Sequence, residues 1–152
     1  MKRPKIGDVI EIRTRKGLAY AHFSHKHPQY GALLRVFGQT YNARPENFSA
    51  HMNAEPTFIC FFPLGAAVNR GIVSIAGHVD IPADAREFPI FRAGMPGRDM
   101  REGSPWWLWD GEKEWRVGTL SPSQRKLPIR GVWNDTLLIK RIEDGWTPET
   151  AA

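Results

Sequence analysis

The 152 residues hold 21 Lys or Arg against 16 Asp or Glu, a formal charge of +5, with 41% hydrophobic types, 17 aromatic rings (3 Tyr, 8 Phe, 6 Trp) and one cysteine. This apolar and aromatic content excludes an intrinsically disordered chain, and the lone Cys60 excludes both an internal disulfide framework and a cysteine-rich zinc ribbon. The length suits one domain, residues 1–152, and a pI near 9.7 admits nucleic acid as a partner because Lys and Arg neutralise phosphate.

Glycine and proline divide the chain into segments of strand length, so the expected fold is α+β and mostly β. It is a twisted antiparallel sheet or small partly open barrel with one or two short C-terminal helices. Gly7–Arg13 alternates at Ile10, Glu11, Ile12 and Arg13, the pattern of a half-buried first strand. Lys16-Gly17 makes a turn, and Leu18–Phe23 returns with Leu18, Tyr20 and His22 on one face and Ala19, Ala21 and Phe23 on the other. A polar break over Ser24–Gln29 separates this hairpin from a third strand, Gly31–Phe37, which Gly38 ends. Residues 39–56 read as a loop with a helical turn around Pro45–Phe48. Phe58–Phe62 is apolar on both faces, the signature of a central strand covered on each side. Ile72–Val79 makes a fifth strand, and Phe88–Phe91 a short extended piece whose proline confines it to an edge.

Ala93–Ser104, with three glycines, reads as an exposed loop. Trp106–Trp109, Asp110-Gly111 and Glu112–Val117 then form the plainest hairpin in the chain, because Asp-Gly suits a two-residue type I′ turn. Ser121-Pro122-Ser123-Gln124 has the spacing of a capping box, and the helix it starts must stop before Pro128. A last helix is expected over Thr136–Glu143, with Leu138 and Ile142 four residues apart, Asn134 or Asp135 as cap and Gly145 as terminator. A strand over Leu137–Ile142 fits the same six residues.

No apolar run approaches the ~20 residues that span a bilayer, and no h-region follows the charged N-terminus, so the expected location is cytoplasmic. His22, His25 and His27 form an H-x2-H-x-H cluster that can meet a divalent metal if His78 or Asp80 comes near, against a plain reading as a solvated His/Lys turn. The common zinc motifs use two ligand pairs at fixed separations, so neither metal nor cofactor is expected. Cys60 lies among four apolar neighbours that disfavour its thiolate, which makes it a small hydrophobe rather than a nucleophile. The usual hydrolase, NTPase, zinc-protease and dinucleotide signatures are missing, so no enzyme is expected.

Lys2, Arg3, Lys5, Arg13, Arg15 and Lys16 gather near the first hairpin beside Tyr20, His22 and Phe23. Such an array can hold single-stranded nucleic acid by stacking, or it can simply keep an edge from aggregating. Trp106, Trp107, Trp109, Trp115 and Trp133 are dense enough that part must be core and part can anchor a partner.

Lys5–Ile12, the return Gly17–Ala21, the aromatic hairpin Trp106–Gly118 and the stretch Leu127–Trp133 together resemble the immunity protein 26 family, over about residues 5–144. That resemblance implies an immunity protein of a bacterial polymorphic toxin system, which binds and blocks a cognate toxin and needs no chemistry of its own. Nuclease inhibitors are often acidic, so a +5 protein suits an acidic toxin domain, or binds through a local acidic patch. The candidate partner-binding residues are Trp107, Trp109, Asp110, Glu112 and Glu114 on the Asp-Gly hairpin. Nucleic-acid binding by the basic first hairpin is the alternative.

Overall fold

The computed structural model describes residues 3–94 and 106–150. Among them the fold is α+β and mostly β, with two antiparallel sheets. Strands β1 (Asp8–Thr14), β2 (Gly17–His27), β3 (Gly31–Tyr41), β4 (Phe58–Phe62) and β5 (Val73–His78) form the larger sheet in the order β4-β3-β2-β1-β5. Strands β6 (Phe91–Ala93), β7 (Trp106–Trp109) and β8 (Glu114–Gly118) form a smaller one in the order β6-β7-β8. Helices α1 (Ser49–Asn53), α2 (Leu64–Asn69) and α3 (Asp135–Glu143) are short, and none is long and apolar enough to cross a membrane.

The period-two pattern sorts the large sheet into two faces. Ile10, Ile12, Ala19, Ala21, Phe23, Leu34, Val36, Phe58, Cys60 and Phe62 point to one side and pack against α2, α3 and Trp133. Val9, Tyr20, Leu33 and Phe61 point to the other. That second face is covered at one end by Phe48 and Met52 around α1, and at the other by Phe91 and Trp109 of the small sheet. Burial of about 1.5–3 kcal/mol per large apolar side chain makes this division the main determinant of strand register.

Several elements differ from the sequence expectation. Strand β2 continues through Ser24 to His27, because a bulge between Phe23 and His25 absorbs the polar break: Phe23 faces Leu34 while His25 faces Leu33. Strand β3 runs past Gly38 to Tyr41, since the Thr57 hydroxyl accepts the Gly38 amide at 2.9 Å. Phe58–Phe62 is an edge strand rather than a central one. It is apolar on both faces because clusters lie above and below it, and its outer flank accepts the Trp133 amide at Phe61 O, 2.9 Å. The helical turn expected at 45–48 begins later, at Ser49, and α2 after Pro63 carries no periodic signal of its own length. The loop expected over 93–104 lies outside the described residues beyond Ala93, which closes β6, and Gly94.

The C-terminal third follows its local signals. Ser121 Oγ accepts the Gln124 amide at 3.2 Å while Gln124 Oε1 accepts the Ser121 amide at 2.8 Å, a reciprocal cap on the 3-10 turn Gln124–Lys126. Asn134 Oδ1 caps α3 through the Leu137 amide, and Leu138 and Ile142 are the buried residues of that helix. Between these turns, the chain from Pro128 to Trp133 joins both sheets. The Arg92 amide donates to Pro128 O and the Arg130 amide to Arg92 O on β6, before Trp133 reaches β4.

His22 is fully buried, and its Nε2–H is shared between Val79 O at 2.6 Å and Gly7 O at 3.1 Å, tying β2 to the ends of β1 and β5. Burial holds its proton affinity below the ordinary histidine range, against the pull of those two carbonyls, and the charges of Arg35 and His78 add to the lowering. Below an ordinary pKa of 6.5 the unfolded chain therefore takes up a proton that the native ring refuses, so stability drops as the pH falls from there towards the native value. The wild-type melting temperature should decline from about pH 7 to about pH 5.5, and His22→Gln, which keeps an N–H donor, should flatten that decline. An unchanged slope in the variant would assign the acid sensitivity to another group.

Candidate functional site

The Asp-Gly hairpin is present, but its turn is not the two-residue type I′ form. Trp109 pairs with Glu114, leaving Asp110–Lys113 as a four-residue loop closed by the Asp110 amide on Lys113 O at 3.1 Å. Asp110 has no need of positive φ, because its Oδ1 accepts the amides of Lys113 at 2.8 Å and Glu112 at 3.0 Å. Those amides hold its carboxyl below the usual carboxylate range. Gly111 alone takes positive φ, +101°, and a Cβ there would stand 2.9 Å from two Phe88 ring carbons. Its carbonyl accepts His27 Nε2–H at 2.8 Å, so the loop is fastened to β2.

The structure spreads the five candidate residues over different surroundings. Trp109, 5% exposed, faces inward, with ring centroids 5.0 Å from His27, 5.1 Å from Tyr30, 5.5 Å from Phe91 and 5.7 Å from Phe88. It holds the hairpin rather than offering itself to a partner. Trp107 is half-buried. Glu112 and Glu114 do not share a strand face, since Glu112 sits in the loop and Glu114 opens β8. Glu114 is paired with Arg130 at 3.0 Å, and the Arg130 guanidinium lies over the Trp109 ring. Of the three acids, only the Glu112 carboxylate is exposed with neither an ion pair nor a hydrogen bond among the described residues. The outward-facing aromatic is Trp115, 39% exposed on the edge strand β8.

The histidine cluster is dispersed into structural hydrogen bonds. His25 Nε2 donates to Arg86 O at 2.9 Å, which leaves Nδ1 to accept from Ser24 Oγ, also at 2.9 Å. His27 Nδ1 accepts the Gln29 and Tyr30 amides while its Nε2 holds Gly111. Among the described residues no three His, Cys, Asp or Glu side chains converge as a metal site. Cys60 is buried and its thiol is pushed far up by desolvation. Near the basic first hairpin, Tyr20, His22 and Phe23 are all inside the protein, so the expected stacking surface is not at the exterior. Lys2 lies outside the described residues, and the turn itself is docked on α3 through the Arg15 amide and Glu143 Oε2 at 2.7 Å.

A second candidate lies between the two clusters on the second face of the large sheet. There a cleft of about 720 Å³ opens over Ser24, Arg35 and Ile59, with Phe88, Ile90 and Pro128 among its walls. Arg35 is 6% exposed and donates to two main-chain carbonyls, Met52 O at 3.1 Å and Ala54 O at 3.2 Å. Burial lowers its proton affinity, opposed by the field of Asp84. The sequence signal for this residue was an arginine inside the apolar run Leu33-Leu34-Arg35-Val36-Phe37. Strict alternation sends Ser24 and His25 to opposite faces, and the bulge is what lets both line the cleft. No family model, curated protein or solved structure matches the chain.

Proposed function

We propose that the protein is an immunity-type inhibitor that binds a cognate bacterial toxin in the cytoplasm and blocks it by stoichiometric occlusion, breaking no covalent bond itself. The observation that carries this reading is the preformed hairpin tip. Trp109 is locked in an aromatic cluster, Gly111 O is fastened by His27 and Asp110 caps its own loop, so Glu112 on the loop and Trp115 on β8 are displayed by a hairpin that is already ordered. A loop held in one shape loses little conformational entropy when a partner binds, and that saving favours tight association. The resemblance of residues 5–144 to the immunity protein 26 family supplies the class of partner. The single uncommitted carboxylate on the tip meets a basic patch on the toxin, despite the overall charge of +5.

Co-expression with the toxin encoded beside it tests the reading. Growth should be rescued and the two proteins should elute together in a one-to-one complex. The double variant Glu112→Lys/Trp115→Ala alters only exposed side chains and should weaken that complex by about 10- to 100-fold, the range of an interface anchor, with little change in melting temperature. Killing that persists alongside the wild-type protein, with separate elution, would refute the assignment.

A further inference from the structure

The cleft on the second face of the large sheet is not needed by the hairpin reading, and its composition is that of a ligand site. Its volume of about 720 Å³ falls in the range of small-molecule pockets, roughly 300–1,000 Å³, which typically combine apolar walls with a few placed polar groups. The walls include Phe88, Pro89, Ile90 and Pro128, and the floor carries Ser24 and Arg35.

Arg35 is the unusual member. Charged side chains are rarely this buried unless an opposite charge accompanies them. Yet this guanidinium, 6% exposed, is held by two neutral carbonyls and by the face of the Phe37 ring at 5.5 Å, and among the described residues has no carboxylate within ion-pair distance. Two carbonyl bonds engage only two of its five N–H donors. Its neighbour across the β2–β3 ladder is the neutral-leaning His22, whose proton affinity Arg35 helps to lower, and the one carboxylate whose field reaches Arg35 is that of Asp84 on the exposed rim.

The carboxylates on the cleft, Glu55, Asp84 and Glu87, are all exposed, as is Lys126 opposite them. Water and salt screen exposed charges, whereas a guanidinium in a poorly solvated floor acts at much lower effective dielectric. The floor therefore decides the sign of a ligand that reaches it.

We infer that this cleft binds a small organic carboxylate, its acid group on the Arg35 guanidinium and its apolar body against Phe88, Ile90 and Pro128. A planar carboxylate matches the fork of a guanidinium, which makes such pairs stronger than neutral hydrogen bonds. Ser24, delivered to the floor by the bulge in β2, lies alongside as a further polar neighbour.

The isolated protein tests this in low-salt buffer with phenylacetate and its neutral isostere phenylacetamide, each followed by amide chemical-shift titration. Phenylacetate should saturate and bind at least about tenfold more tightly than the amide, with shifts centred on β2, β3 and residues 84–90. Arg35→Gln, which keeps N–H donors but carries no charge, should erase the difference. Asp84→Asn, an exposed change that leaves the fold intact, should tighten phenylacetate about two- to fivefold by removing the opposing rim charge. Equal affinity for acid and amide, absence of saturation by either, or weaker binding by Asp84→Asn would overturn the inference. Because no toxin enters the experiment, its failure and the failure of the immunity reading are independent.

Discussion

Replacing Trp109 by alanine is expected to destabilise the protein by about 3–5 kcal/mol, the usual cost of deleting a large buried aromatic. The indole makes ring contacts with His27, Tyr30, Phe61, Phe88 and Phe91, which come from β2, the β2–β3 turn, β4, the approach to β6 and β6 itself. Loss of that ring removes apolar burial and also the stack on which Arg130 rests. Trp115→Ala, on the same hairpin but 39% exposed, should cost within about 0.5 kcal/mol, as ordinary surface substitutions do. Urea denaturation of the two variants reads the contrast directly. Equal losses would mean that the hairpin is not anchored by this cluster. Because Trp109 also shapes the tip, its variant should lose the proposed toxin binding in proportion to the loosening of the loop.

Glu11→Ala is expected to cost about 1.5–3 kcal/mol, the range for a buried hydrogen bond to a charged group. Glu11 Oε1 accepts the Tyr20 hydroxyl at 2.9 Å and Arg44 Nε at 2.8 Å, and Oε2 accepts Arg44 Nη2 at 3.0 Å. Arg44 is half exposed, so the ion pair is screened and contributes the smaller part. The larger part is the phenol of Tyr20, 2% exposed, which would lose its acceptor in the interior. Arg44 and then Tyr20 hold the Glu11 carboxyl below its ordinary value of 4.5, against the opposing effect of burial. The native state thus keeps Glu11 ionised where the unfolded chain protonates it, so this stabilisation is complete above about pH 4.5 and is lost as the pH falls through the native value. At the alkaline end, burial and Glu11 push the Tyr20 phenol up to about 12, so its share is retained below an ordinary pKa of 10 and lost between about 10 and 12. Melting curves across both ranges should show two shoulders in the wild type. Glu11→Ala should lack the acidic one.

The faces of the large sheet were legible because period-two alternation survives in β1, β2 and β3, so Tyr20 and His22 separate from Ala21 and Phe23 as the residues require. The C-terminal caps were legible for a similar reason: Ser121, Gln124 and Asn134 bond within three residues of themselves, and local bonding leaves a local signature. The candidate sites were harder to read. A bulge adds one residue without any composition of its own, so the entry of Ser24 and His25 into one cleft depends on pairing with β3, which no window of β2 contains. Trp109 and Trp115 have the same side chain and opposite exposure, a difference set by Phe88 and Phe91 from outside the hairpin. The edge position of Phe58–Phe62 was hidden because its outer flank is covered by a stretch some 70 residues later in the chain (Phe61 to Trp133).

That late stretch has a consequence for biosynthesis. Residues 128–133 supply the bonds that close the flanks of both β6 and β4. Until the ribosome has released them, a nascent chain carries two open strand edges, each able to pair with a neighbouring polypeptide. Maturation is therefore gated by the arrival of residues 128–133, and chains interrupted before Pro128 are the ones exposed to aggregation and clearance.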